Sequence, residues 1–493
     1  MLSAFVFIPL IGALVILVLL RSSLLIRSFA LLTSLVHLLL AISIFVIFQQ
    51  QHSGSTDPVM VEKLGWIKSA IPSFPAEYFL GLDGLSAPLV LLCGLLGFIS
   101  VCASWRIEKR VKLYFVLILV LLTAVSGVFV ALDLVLFFIF WELELIPMYL
   151  LIALWGTGRA HYSAMKFLIF TAFGSAFLFV GIMLFFVSFG TFSMVEELDM
   201  SLLVVPAQLI FYILLVGFVI KLPIWPLHTW LPDAHTDAPT PISVLLAGIL
   251  LKMGGYGILR INIGLFPDAA KAASSFFFII GVIGILYGAM IVLRQTDLKR
   301  LIAYSSVSHM GFVMLGISAM GSDSMDAALH GLTGSAMQMF THGTITGLLF
   351  FMVGVIYDRT HTRHIPDLKG LSHQIPVASV GLVIAGLASL GLPMTSGFVS
   401  ELLVFLGVFN AWGFLAVLPI LGIVITAGYI LWMIQRILFG ESLARYNTIA
   451  DTDFAEFLPM MLLIVAIMVI GIYPAILTDV FKVEFLSLLN GLF

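Results

Sequence analysis

Val219-Ile220-Lys221-Leu222-Pro223-Ile224-Trp225-Pro226 sets a lysine and two prolines inside an apolar stretch running from about 203 to 230. A bilayer core of about 30 Å takes roughly 20 apolar residues in helical form, so this stretch is long enough to cross one. Proline lacks the amide proton a helix needs and leaves carbonyls of the preceding turn unpaired. Irregular backbone at membrane depth survives only inside protein or beside a water-filled cavity. The segment therefore predicts a discontinuous helix with a cation at its break. A second stretch, 375–409, repeats the design with opposite charge: Gly391, Pro393 and Gly397 interrupt it just before Glu401.

Outward from these breaks the whole chain reads as membrane protein. Of 493 residues, 61% are hydrophobic and 10% charged, against roughly 25% charged in a soluble domain. Apolar runs fall at 2–20, 24–48, 79–104, 113–131, 134–154, 165–189, 203–230, 241–262, 274–293, 300–318, 325–356, 375–409, 411–437 and 457–478. The expectation is an all-α integral membrane fold of about 14 transmembrane helices, two of them discontinuous, with both termini on one side. Sixteen of the 23 Lys and Arg then lie in loops away from the termini, five lie on the terminus side, and Lys221 and Lys252 lie within spans. Basic loops favour the cytoplasmic side, so the termini are expected on the lumenal or periplasmic side. The first apolar run, without a basic leader or cleavage pattern, reads as a retained helix.

Paired interrupted helices in two halves point to inverted repeats. The expected division is 1–112 as N-terminal helices, 113–262 as a first five-helix inverted repeat, 263–437 as a second, and 438–493 as a C-terminal transmembrane helix. The longest hydrophilic stretches, 49–78 and 438–456, read as ordinary loops. A formal charge of −3 offers no basic field for nucleic acid. Cys93 and Cys102 fit no metal or disulfide spacing and read as small core residues.

Charge in mid-membrane costs about 2.5–3.5 kcal/mol per residue on insertion scales, so it marks a pathway or a partner. Glu142, Lys221, Lys252 and Glu401 stand in such positions. The alternatives are structural ion pairs between helices, or lysines snorkelling to the interface; neither lysine has an opposite charge near it on its own helix. Glu142 and Glu144 are two residues apart, about 200° around a helix, so one faces inward and the other an adjacent helix or subunit; Glu144 is read as structural or interfacial. Ser335, Gln338, His342 and Thr346 share one face of the 325–356 span, and Ser305 and His309 lie four apart on the preceding one. A polar stripe of this kind can hold a chain of waters, and imidazole passes protons near neutral pH. His361 and His364 read as surface residues. There is no nucleophile–base motif, phosphate loop, haem site, iron–sulfur cysteine set or metal-ligand cluster in the sequence. The pattern suits moving charge rather than carrying electrons.

At these same residues the chain resembles the antiporter-like subunits of respiratory complex I and its photosynthetic NDH-1 relatives. The resemblance is carried by Trp141-Glu142-Leu143-Glu144-Leu145-Ile146-Pro147, by Lys221-Leu222-Pro223 through Pro226-Leu227-His228-Thr229-Trp230-Leu231-Pro232-Asp233-Ala234-His235, by Leu246–Lys252, and by Asp297–Phe312. Glutamate at 401, where L-type and N-type subunits resemble one another in having lysine, makes it similar to the M-type, subunit 4. The doubled glutamate is similar to the cyanobacterial and chloroplast version.

The resemblance implies that Glu142 pairs with Lys221 and favours its protonated form. Protons would pass from Lys221 to Lys252, then through His309 and His342 to Glu401, driven by redox chemistry in other subunits. It also implies no cofactor in this chain, with quinone and iron–sulfur clusters in partner subunits. The implied partners are L-type and N-type antiporter-like subunits, small membrane subunits and lipid, in a cyanobacterial thylakoid or otherwise a bacterial inner membrane. Quinone reduction would draw on NAD(P)H or ferredoxin. A subunit of a multi-subunit Na⁺/H⁺ antiporter is the competing reading, and a stand-alone solute transporter a third.

Overall fold

A computed structural model describes residues 1–51, 57–71, 73–196 and 198–493. Its helices fill the apolar runs and pack as one bundle around a common core. Among the described residues, eleven helical stretches are long and apolar enough to cross a membrane. Three expected spans are shorter helices: Leu2–Val18, Ala207–Lys221 and Pro376–Ser389. The last two are short because proline and glycine cut them. The expected spans 375–409 and 411–437 are regrouped, since Ser396–Leu438 runs on after the break.

Both breaks lie where the sequence puts them. Ala207–Lys221 ends on Lys221, and helix resumes only at Trp230–Asp237. Pro376–Ser389 stops before a turn in which Gly391 and Met394 have φ of 76° and 73°. The chain then re-enters helix at Ser396–Trp412, with Glu401 in its second turn. Lys252 sits on a third irregular element: its α-helical segment Leu251–Gly257 is flanked by π-helical turns at Leu246–Leu250 and Ile258–Ile263. Such widened turns occur often at functional sites.

Burial is graded from centre to rim. The helical stretches bearing Lys252, His309 and His342, namely Thr240–Ile263, Leu298–Gly321 and Met325–Thr360, are 100%, 94% and 100% buried over their apolar windows. Outer helices such as Ala160–Phe189 bury only 39% and turn Ile169, Phe173 and Val180 outward. Close approach depends on small residues, as expected where lipid is as apolar as leucine. A Cβ at Gly288 would lie 2.7 Å from the Ser308 backbone nitrogen, and one at Gly311 2.9 Å from the Gly281 carbonyl.

Two regions differ from expectation. The stretch 49–78, expected to be a plain loop, contributes to an antiparallel hairpin of Val59–Gly65 with Glu77–Leu82; its residues 52–56 and 72 lie outside the described residues. The fold is thus helical with one small sheet. The expected C-terminal span 457–478 ends at Ile472, because Pro474 stops it. A separate helix, Ala475–Asn490, follows. It buries Leu477, Phe481, Phe485 and Leu489, spaced four apart on one face.

Candidate functional site

Lys221, the last residue of its helix, is sealed in the bundle with its ammonium between the rings of Trp141 and Phe167, 5.5 and 5.3 Å from their centroids. Its hydrogen-bond and ion-pair partner is Glu144, itself fully buried. The expected Glu142–Lys221 pair is corrected in its contact: Glu144 holds the hydrogen bond, while Glu142, beside Ser175, stays within electrostatic range of the lysine. The cause is a local one. The helix Leu134–Leu143 ends at Glu144, which starts the next helix, Leu145–Trp155. Either carboxylate was able to point inward, and this joint turns Glu144 toward Lys221. Glu142 is left half-buried beside exposed Ile139, Leu143 and Ile146, with its Oε1 unpartnered among the described residues.

Lys252 is buried and donates to the Ala247 carbonyl, one of the acceptors freed by the wide turn before it. Its ammonium also lies 2.7 Å from His342 Nδ1. The His342 and His309 ring centroids are 5.7 Å apart, and His309 Nδ1 lies 3.6 Å from Glu401 Oε1. A cavity of about 10 Å³ is lined by His309, Gln338, His342, Ser389 and Glu401; that is room for about one water molecule. Lys252, His342, His309 and Glu401 thus form one buried line. Lys221 and Glu144 form a second group, joined to the first by packing. A Cβ at Gly254 would sit 2.7 Å from the Phe218 carbonyl and 2.6 Å from the Leu222 nitrogen, so the two helices touch just beyond Lys252.

The supporting residues divide. Ser400 donates to Gln338 Oε1 at 2.6 Å, and Ser389 lies 3.2 Å from His309 Nε2. These fix the histidine face. Ser335, on the same stripe, donates instead to the Val313 and Gly331 carbonyls; Ser305 turns back to Ile302. Gly391 is required where it stands. A Cβ there would lie 2.7 Å from Glu401 Oε2, at a φ that side chains avoid.

Sequence reasoning missed three residues near this line. Ser389 and Ser400 resemble any serine of an apolar helix, and no local signal marks them. Lys299 was counted among loop cations, yet its side chain is 3% exposed and donates to the Ala238 carbonyl at 2.7 Å. His364, read as a surface residue, is exposed beside Asp367.

A helical bundle with two broken helices, each placing an ionisable group in the buried interior, defines the class of antiporter-like ion-translocating membrane subunits. Residues 131–426 match the family model for NADH:quinone oxidoreductase/Mrp antiporter membrane proteins. The chain is 42% identical over 453 residues to NAD(P)H-quinone oxidoreductase chain 4 1 of Synechococcus elongatus, covering 90% of this chain and 83% of the relative. It is 40% identical to NADH-quinone oxidoreductase subunit M of Rhodobacter capsulatus, over 85% of this chain and 82% of that one. A chain of respiratory complex I from Thermus thermophilus superposes with a TM-score of 0.86 at 28% identity, covering 99% of this chain and all of that one. A chain of the Mrp complex from Dietzia shares the fold at 19% identity and a TM-score of 0.83, over 99% of this chain and 98% of that one. The chain belongs to the NADH:quinone oxidoreductase/Mrp antiporter family, among its complex I subunit 4, or M-type, members.

Proposed function

We propose that this chain is a proton-translocating membrane-arm subunit of an NDH-1 quinone oxidoreductase, moving protons along its buried Glu/Lys/His line while other subunits perform the redox chemistry. The observation that carries this reading is the run of contacts Lys252–His342–His309–Glu401, its first three members on the most buried helices of the bundle. Glu144 and Lys221 act as the charge pair at one end. With Glu144 close, Lys221 keeps its proton; separation of the pair favours release toward Lys252. His342 and His309 then pass the proton to Glu401 by imidazole relay. Glu142, beside Ser175 and within electrostatic range of Lys221, is the second carboxylate at that end. The two breaks at Lys221 and Glu401 support reading 113–262 and 263–437 as inverted five-helix repeats.

Quinone and iron–sulfur clusters belong to partner subunits in this reading, and L-type, N-type and small membrane subunits flank the chain. The basic loops face the cytoplasm and the termini the lumen, in a thylakoid membrane; the cyanobacterial relatives support that location. A Na⁺/H⁺ antiporter role has only shared fold in its favour, whereas subunit 4 relatives match in sequence over most of the chain.

The test is Lys252→Met in the intact complex, with quinone reduction and proton pumping measured together. Coupled pumping is expected to fall by about tenfold or more with assembly intact. Pumping at the unaltered proton-to-electron ratio would overturn the relay.

A further inference from the structure

Where the helix Val417–Leu438 reaches the basic-loop end of the bundle, a groove of about 390 Å³ opens between its last turn and the loop that carries Ile365–Asp367. Ile365, Leu368 and Phe439 supply its apolar wall, and Lys369, Gln435 and Arg436 its polar one. No carboxylate lines it.

The two cations are free. Neither Lys369 nor Arg436 makes a hydrogen bond or an ion pair among the described residues, and both are exposed. Other arginines at this end are engaged: Arg106 meets Asp453 at 2.7 Å, and Arg363 meets Asp297 at 3.5 Å. The local backbone keeps the pair in place without neutralising it. Gly440 has φ of 95°, and a Cβ there would lie 2.8 Å from Lys369 Cε, so glycine leaves room for the lysine stem. The Gly370 amide donates to the Phe439 carbonyl at 3.3 Å, and the Ser372 hydroxyl to the Leu438 carbonyl at 2.6 Å. Acceptors at this helix end are thus taken by the chain itself. Arg436 lies flat over Trp432, 4.3 Å from the ring centroid. An aromatic ring paired with a cation at a helix end is typical of headgroup depth.

Below the cations the same helix turns an apolar face outward. Leu431, Val424 and Leu421 are 52%, 64% and 51% exposed, and with Gln435 and Gly428 they recur every three or four residues along one stripe. At Gly428 an added Cβ would meet nothing within 4 Å, which leaves a gap in the ridge between Leu431 and Val424. From Gln435 down to Val424 the helix descends about 16 Å, the hydrocarbon depth of one leaflet in a bilayer core of about 30 Å. A soluble anion would use only the cations. An acidic peptide would find no polar partner along the stripe. A molecule with an anionic head and an apolar chain uses both.

We propose that this groove binds an anionic lipid of the basic-loop leaflet, its phosphodiester or sulfonate held by Lys369 and Arg436 and one acyl chain lying along Leu431, Gly428 and Val424. Basic pockets beside transmembrane helices on the cytoplasmic side suit such headgroups. The site is independent of the proton line.

The test places the intact complex in vesicles doped with phosphatidylglycerol carrying a diazirine in one acyl chain, or with phosphatidylcholine of the same chains. After illumination, labelling of residues 421–435 is read by peptide mass spectrometry. The anionic probe is expected to label this stretch about tenfold more than the zwitterionic one. The pair Lys369→Gln with Arg436→Gln should lower it to the zwitterionic level, while Lys369→Arg with Arg436→Lys should retain it. Inorganic phosphate should compete no better than chloride at equal ionic strength. Equal labelling by the two lipids, unchanged labelling in the neutral pair, or loss in the charge-keeping pair would overturn the assignment. Displacement by phosphate alone would mark a free-anion site, and no labelling by either lipid a face covered by a neighbouring subunit; each would overturn it too.

Discussion

Glu142 and Glu144 show how much depends on a single residue position. Both are carboxylates two places apart beside the same tryptophan, yet only Glu144 reaches the ammonium of Lys221. Removing one partner of a buried ion pair leaves an uncompensated charge and costs about 3–5 kcal/mol. Glu144→Gln should therefore lower both coupled pumping and the thermal-inactivation temperature of the complex, whereas Glu142→Gln should shift that temperature little. Side-by-side inactivation curves decide the matter: equal effects, or a larger one at Glu142, would contradict the pairing. His342 and His309 are legible as one helical stripe and one neighbour, because helical period is a local property. Their contact with Lys252 and Glu401 is not, because it joins four separate helices.

Among the elements, the C-terminal helix Ala475–Asn490 carries a titration of its own. Its Glu484 lies against Asp83 and Arg260; the arginine meets Asp83 at 2.6 Å and Glu484 at 3.5 Å, and the Gly84 amide donates to Glu484 at 3.1 Å. Burial, with the Asp83 charge adding to it, pushes the Glu484 carboxyl up to about 8 from an ordinary 4.5, against the opposing pull of Arg260. The docked helix then binds a proton that the released helix gives up between those two values. Docking should weaken as pH rises from about 4.5 to about 8 and change no further above that. Hydrogen exchange of 475–490, corrected for intrinsic rates, should show this loss of protection, and Glu484→Gln should flatten it. A pH-independent protection in the natural chain would refute it. The helix itself was only half legible. Pro474 is visible in sequence, but the reading carried the membrane span past it to 478, since the residues beyond are apolar enough to continue.

For the whole molecule the useful quantity is the asymmetry of charge between its two ends. Arg106, Arg359, Arg363 and Arg445 converge at one end, held to Asp453, Glu456, Asp297 and the Asp367 carbonyl. With these loops cytoplasmic, an impermeant thiol reagent should label Glu441→Cys, an exposed loop position, from the cytoplasmic side. It should label Asp268→Cys, exposed on the terminus side, only from the lumen. The reverse pattern would invert the orientation and with it the direction of proton transfer.

Taken alone, the sequence determined the membrane class, the two helix breaks and the mid-membrane ionisable groups. Each of these follows from local chemistry: apolar length, proline's missing amide, and the cost of charge in lipid. It also determined the family through motifs spread over most of the chain. Tertiary structure alone decided which carboxylate meets Lys221, that Lys252 and His342 share a contact, and that Lys299 is a buried residue rather than a loop cation. Those facts concern the relative placement of helices far apart in the chain. Side-chain direction at a helix joint, and the depth of a lysine at a helix start, are set by what packs against them, and nothing within a few residues records it.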